Sequence, residues 1–299
     1  MEQKSAVVLA MFGTTVEEAL PGLLNIRAKM VQHCPATPVR IAFTSRIIRR
    51  VWRERAADNE YRTSRPQLPE ELFGIRGPLA TIAGLQDAGY AALVIQPVHM
   101  APAEEYQDLR SSVAALATST ALQQGRHPLN VVVGRPALGI TGIGDSTGDE
   151  LVAAARALAA DAELARSHQA ALLYMGHGSK CFPAGPLYLH FVEAMRRLYP
   201  DVLTTVALVE GAPSVRDVLR HLRQQGASRV VLKPLMVAAG DHARKDMVGP
   251  APRGWQSFLA GEGFTVIPVL SGLGEHDPFA AIFVRHAATA AAQAGIVLR

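Results

Sequence analysis

Cysteine is nearly absent from this 299-residue chain: Cys34 and Cys181 are the only two, and no CxxC pair occurs. That scarcity argues against a disulfide framework and the common zinc modules, and it is compatible with a reducing compartment. Aromatic residues make up only 6% of the chain, and the densest arginine cluster is confined to one predicted helix, so no nucleic-acid partner is expected. Neither a GxGxxG fingerprint nor a Walker lysine follows a predicted strand, which speaks against nucleotide binding. The opening apolar run, residues 6–12, is too short to span a bilayer and lacks a small-residue cleavage pattern. It predicts a first strand, no membrane partner and a cytoplasmic location. The formal charge of +4 gives modest support for an anionic partner.

What remains is a composition of 49% apolar and 19% charged residues, as in compact soluble proteins, with length enough for two domains or one large one. Apolar runs at residues 6–12, 39–43, 90–96 and 129–133 alternate with helically spaced segments, and the pattern restarts at 170–175, 204–209, 230–232 and 265–269. Residues 56–78, with Pro66, Pro69, Gly74, Gly77 and Pro78, predict a surface excursion holding a short helix near 70–73. Residues 139–148 read as a linker, and 149–165 as one alanine-rich helix. The second series is a repeat of the first. Leu85-Gln-Asp-Ala-Gly-Tyr-Ala-Ala-Leu-Val-Ile-Gln-Pro97 aligns without a gap on Leu222-Arg-Gln-Gln-Gly-Ala-Ser-Arg-Val-Val-Leu-Lys-Pro234, and the same register sets Glu104-Glu105 opposite Asp241-His242. The expected fold is α/β, with two similar four-stranded parallel-sheet, flavodoxin-like halves, residues 1–145 and 146–299, facing across a cleft.

The stretch from Arg229 to Met247 carries the clearest chemistry. An apolar run switches within three residues to Gly240-Asp241-His242, which puts an imidazole at the carboxyl edge of a sheet, where ligands bind in open α/β folds. Gly240 suits a turn, and Asp241 is placed to cap a helix over 243–247. The competing reading is a plain strand-to-helix turn with an incidental histidine. His177 stands between two glycines in Gly176-His177-Gly178, a setting hard to explain by packing. Glu210 directly follows the strand at 206–209 and is either a functional carboxylate or a strand end. Glu104-Glu105 either joins the site or begins a helix with charge that suits its dipole. His99 reads as a satisfied sheet histidine or a supporting group, and Cys181 as structural or a soft ligand. On the two-half scheme, the loops bearing His177 and His242 are expected to face one another across the cleft. Two imidazoles with one or two carboxylates suit a divalent first-row metal and proton transfer near neutral pH.

Phe12-Gly13-Thr14, Ala42-Phe43-Thr44-Ser45, Met175-Gly176-His177-Gly178, Leu208-Val209-Glu210-Gly211, the run from Pro234 to His242 with Asp246-Met247, and Leu270-Ser271-Gly272-Leu273-Gly274-Glu275 together resemble the anaerobic cobalt chelatase CbiK family. The match runs in order from residue 6 to about residue 290. The resemblance implies a chelatase-like fold related to ferrochelatase. It also implies insertion of Co²⁺ into sirohydrochlorin in cobalamin synthesis, with no organic cofactor. It places His177 and His242 as metal-binding histidines, Glu210 as a third metal ligand, and Glu105 beside them in catalysis. Arginines 46, 49 and 50, with Arg53 on the same helix, are candidates to pair with substrate carboxylates, or else form a solvated basic face. Residues 56–78 are longer than the family pattern and bear either on the cleft rim or on a homo-oligomer contact. Ser179-Lys180-Cys181 departs from the family after His177-Gly178. Chelation of Fe²⁺ or Ni²⁺, a non-catalytic tetrapyrrole or metal carrier, and, more weakly, zinc-dependent hydrolysis are the competing functions.

Overall fold

The computed structural model describes residues 3–121, 129–140, 146–179, 185–250 and 254–299. The chain runs β1 (Ser5–Met11), α1 (Leu20–His33), β2 (Val39–Phe43), α2 (Arg46–Ala57), α3 (Asn59–Thr63), α4 (Pro78–Asp87), β3 (Ala92–Val98), α5 (Glu104–Ala121) and β4 (Asn130–Val133). It continues through α6 (Ser146–Ala157), α7 (Ala159–Ser167), β5 (Ala171–Gly178), α8 (Gly185–Leu198), β6 (Thr204–Glu210), α9 (Val215–Gln224), β7 (Arg229–Pro234), α10 (Trp255–Gly261), β8 (Thr265–Pro268) and α11 (Asp277–Gln293). The strands form two parallel sheets ordered β2-β1-β3-β4 and β6-β5-β7-β8. The second order is the first repeated four strands on, as the internal repeat predicts. Gly89 and Gly226, aligned in that repeat, follow α4 and α9 in the left-handed region at φ +83° and +72°, where a side chain would be strained.

Continuous apolar strands are what central parallel positions demand, because both faces are covered. Along β1, Val7, Leu9 and Met11 enter one core while Ala6, Val8 and Ala10 enter another. In β5, Leu172 and Tyr174 join the first of these cores, and Leu173 and Met175 a third. One apolar interior therefore runs between the two sheets, with a separate core on each outer face. Helix α11 packs on α1 and β3, so the closing helix crosses the boundary expected at residue 145 and covers the first sheet. Asn130 donates to the Ala294 carbonyl at 3.1 Å, and the Ala36 amide to the Arg299 carbonyl at 2.7 Å.

Three local expectations are corrected. The helix expected over 149–165 is two, broken at the fully buried Leu158, whose φ of −107° leaves the helical region. Asp241 caps nothing: the 243–247 segment is a single π turn entered through His242, and the Asp241 carboxylate pairs with Lys245 at 2.9 Å. The excursion at 56–78 is more than surface. Leu72 and Ile75 are buried, Phe73 meets Trp52 and Tyr61 edge-on, and Arg65 and Tyr61 both bind Glu17. The fully buried Trp52 donates its indole N–H to the Thr14 carbonyl at 2.9 Å, and Arg55 donates to the Thr15 carbonyl at 2.8 Å. Helix α2, capped by Ser45 on the Ile48 amide, thus clamps the first loop at the carboxyl edge. The linker expected at 139–148 lies partly outside the described residues.

Candidate active site

Strand β5 ends in Gly176-His177-Gly178 for steric reasons. A Cβ on Gly176 would stand 2.7 Å from Leu208 Cδ2, and one on Gly178, at φ +74°, only 1.9 Å from the Glu210 carbonyl oxygen. The strand can project a side chain between them but not on either side. Strand β7 pairs directly with β5, and the Leu235 amide extends the ladder to the Met175 carbonyl. The chain then reaches Gly240-Asp241-His242. Gly240 has no left-handed φ; what limits it is Thr14, whose hydroxyl would lie 3.3 Å from an added Cβ. The clamped first loop of one half therefore abuts the histidine turn of the other.

His177 and His242 meet with ring centroids 4.7 Å apart and planes at 82°. The expectation that their loops face one another from opposite halves is corrected. Both belong to the second sheet, because β5 and β7 are neighbours in it. His177 Nδ1 lies 3.0 Å from the Gly178 carbonyl and His242 Nδ1 lies 2.6 Å from Asp246 Oδ2. Both partners accept, so in the neutral rings the proton sits on Nδ1 and each Nε2 keeps its lone pair. The pair is thereby prepared to offer two imidazole nitrogens to one ion, at bonds of about 2.0–2.1 Å.

The carboxylates are less closely assembled. Glu210 ends the edge strand β6 opposite Gly178, one residue past His177. Among the described residues no three His, Cys, Asp or Glu side chains converge closely enough to hold an ion. The set of His177, His242 and Glu210 is therefore not preassembled: the structure brings the two histidines together and leaves Glu210 on the edge strand. From the first half, Glu104 accepts from Ser179 at 2.6 Å, so the loop after His177 is tied to the start of α5. Glu105 is near enough to Tyr188 for its charge to add to burial in raising that hydroxyl's pKa, and Tyr188 lies against Gly176. Cys181 lies outside the described residues.

A cleft of about 650 Å³ opens between α2, residues 75–80 and α5, with Arg46, Arg49, Arg53, Arg76 and Glu105 among its lining residues. Arg49 and Arg50 do not sit as expected of free carboxylate receptors. Arg49 donates to the carbonyls of Phe43 and Thr44, main-chain acceptors left at the end of β2, and Arg50 pairs with Glu54 one turn on. Arg46 lines the cleft without such a diversion. A smaller concavity of about 500 Å³ at the amino edge, around Lys4, Thr37 and Arg299, is remote from this chemistry.

His99 is not the satisfied histidine expected. Among the described residues neither buried ring nitrogen has a hydrogen-bond partner, and burial pushes its pKa down to about 4. His286 is likewise lowered to about 4, chiefly by burial. A histidine whose folded pKa lies below its unfolded value of about 6.5 leaves the unfolded chain holding more protons between the two. The stability contributed by neutral His99 and His286 is therefore complete above about pH 6.5 and lost as pH falls towards about 4. Urea midpoints measured from pH 7 to 4 should fall steeply across this window, and His286→Gln should flatten the slope.

Asp246 was reachable from sequence, since i,i+4 spacing from His242 puts it one helical turn away, but its role as the partner of Nδ1 appears only in the geometry. Such outer partners fix the tautomer and orientation of the ring. Asp246→Asn is expected to weaken Co²⁺ binding about 10–100-fold, measured by titration calorimetry, with little change in folding because the pair is substantially exposed.

The sequence profile of the cobalt chelatase (CbiK) family matches residues 5–292. The sirohydrochlorin cobaltochelatase CbiKC of Nitratidesulfovibrio vulgaris is 30% identical over 283 residues, covering 95% of this chain and 89% of that one. The sirohydrochlorin cobaltochelatase of Salmonella typhimurium is 28% identical over 288 residues, covering 95% of each chain. Among solved structures, SirB from Bacillus subtilis with Fe³⁺ superposes with a TM-score of 0.63 at 13% identity over 98% of both chains, a likeness of fold.

Proposed function

From the premise that this chain belongs to the cobalt chelatase (CbiK) family, we propose that it inserts Co²⁺ into sirohydrochlorin, in anaerobic cobalamin synthesis, and releases two protons. The observation that carries this reading is the His177–His242 pair, with both Nδ1 atoms on acceptors and the Nε2 lone pairs available. Insertion requires a ligand that releases the substrate metal and a base for the two pyrrole N–H protons. Neutral imidazoles supply both: they bind the ion, and as its bonds pass to the ring nitrogens their freed lone pairs accept the protons. Asp246, 2.6 Å from His242 Nδ1, holds that ring with Nε2 free for the ion and for a proton. Glu105, near Tyr188 and the cleft, is a proton acceptor on the first-half side, and Glu210 a carboxylate that balances metal charge. Arg46 meets the carboxylates of the macrocycle at the cleft mouth, while Arg49 shapes the wall and Arg50 stays outside.

No nucleic acid or membrane enters this scheme; among the described residues no helix is long and apolar enough to cross a membrane. The cytoplasm is the compartment that fits a substrate made and used in solution. Fe²⁺ or Ni²⁺ as the metal, and a carrier that returns the ring unmetallated, are the outcomes the test distinguishes. The protein is incubated anaerobically with sirohydrochlorin and each divalent ion, and the absorption change of the ring is followed. Fastest metallation with Co²⁺ supports the reading, a preference for Fe²⁺ or Ni²⁺ reassigns the metal, and binding without metallation makes the protein a carrier.

A further inference from the structure

The cleft beside Glu105 is basic on one wall and acidic on the other. Arg46 and Arg53 come from α2 and Arg76 from the segment before α4, while α5 supplies Glu105 and Asp108 opposite. The neighbouring arginines are engaged elsewhere: Arg50 with Glu54, Arg62 with Glu70, Arg65 with Glu17. Among the described residues, neither a side-chain hydrogen bond nor an ion pair engages Arg46, Arg53 or Arg76. They stand close enough to the central Arg49 for Arg46 and Arg53 to act on it by repulsion. Gly77 leaves room for Arg49, since a Cβ there would lie 3.0 Å from its guanidinium carbon. Unpaired like charges from two separate segments, gathered around one concavity, raise the energy of the empty cleft, and a multivalent anion relieves that repulsion. Leu79, 46% exposed on the same cleft, offers apolar contact beside the charges, which a free inorganic anion would not use.

We infer that Arg53 and Arg76, together with Arg46, form a subsite for the carboxylate side chains along one edge of the macrocycle, and that these two residues help determine specificity for a polycarboxylate ring. Guanidinium groups on two sides of the cleft can each take a carboxylate in a two-pronged hydrogen bond. The acidic wall repels carboxylates, so the charged edge is held on the α2 side and the rest of the ring is turned towards Glu105. The inference rests on the proposed function; it selects Arg53 from the candidates on its helix and adds Arg76, from a separate segment, as substrate-binding residues.

The test uses full-length protein with Arg53→Gln, Arg76→Gln and the double variant, and Arg220→Gln on the remote helix α9 as control. Affinity for metal-free sirohydrochlorin is measured by absorption titration at several salt concentrations, alongside steady-state Co²⁺ insertion. Each cleft substitution is expected to weaken ring binding about tenfold and to flatten its salt dependence, raising KM with kcat within about twofold because ring binding, not the chemical step, is affected. The control is expected to match the parent. Parent-like affinity and salt dependence in the double variant, with the parent still metallating the ring, overturn the subsite and leave the chelatase reading standing. A parent protein that neither binds nor metallates the ring overturns both.

Discussion

His177→Ala and His242→Ala are each expected to lower Co²⁺ insertion by about two to four orders of magnitude, the range associated with losing a positioned proton acceptor, while sirohydrochlorin still binds. Either change leaves one imidazole where two now meet at 4.7 Å, so the ion loses a ligand and the ring protons lose an acceptor at once. Neither substitution should cost much stability, because both histidines are only half-buried and, among the described residues, His177 hydrogen-bonds only to the carbonyl beside it. Glu210→Gln should give a smaller loss, and Glu105→Gln a smaller one still, as expected of residues outside the imidazole pair. Steady-state rates with each variant, read against unchanged ring affinity, check the order.

Asp161→Ala is expected to produce the largest loss of stability, about 3–5 kcal/mol, the usual consequence of removing one partner from a buried ion pair. Lys233 and Asp161 are 1% and 2% exposed, and the ammonium lies 2.5 Å from Asp161 Oδ1. Asp161 also accepts from the fully buried Tyr174 hydroxyl at 2.8 Å, and Lys233 donates to His276 Nε2 at 2.6 Å. Without the carboxylate, a buried cation and a buried phenol are both left short of a partner. His276 must be neutral to accept from Lys233, and its pKa is lowered by burial and then by the Lys233 charge. By the sign of that shift this contact is intact above the histidine's unfolded pKa and is lost as pH falls. Thermal melts at pH 7.5 and 5.5 check both statements. A companion Asp161→Ala/Lys233→Met variant should recover much of the loss, because the uncompensated charge is gone.

The repeat was legible because each copy carries the same grammar of helix, left-handed glycine and buried strand, as at Gly89 and Gly226. His177 stood out because a polar residue between two glycines is unusual in an apolar strand; the structure shows that the glycines themselves answer to packing, since Leu208 and the Glu210 carbonyl forbid side chains there. What sequence left open depends on neighbours in space. Strand order decides that β5 and β7 adjoin, and hence that both histidines belong to one sheet. Arg49 looked like its neighbours along the helix, but the end of β2 has carbonyls to satisfy and Arg49 is the residue in reach. The Lys233–Asp161 pair spans 72 positions with no periodic signal, although a lysine inside an apolar strand was itself the clue. Phe73 packs on Trp52 and Tyr61 lies under Arg55, so the 56–78 excursion supports the clamp that α2 sets on the Thr14 loop, a role its polar composition concealed.

The central claim is that His177 and His242 act as one unit on one metal. A double-mutant cycle on single-turnover Co²⁺ insertion, with sirohydrochlorin prebound under anaerobic conditions, tests it most directly. The account predicts that the His177→Ala/His242→Ala protein is slower than either single variant by no more than about threefold, since members of one catalytic unit are strongly non-additive. Losses that multiply, or near-parental turnover in either single variant, would contradict it.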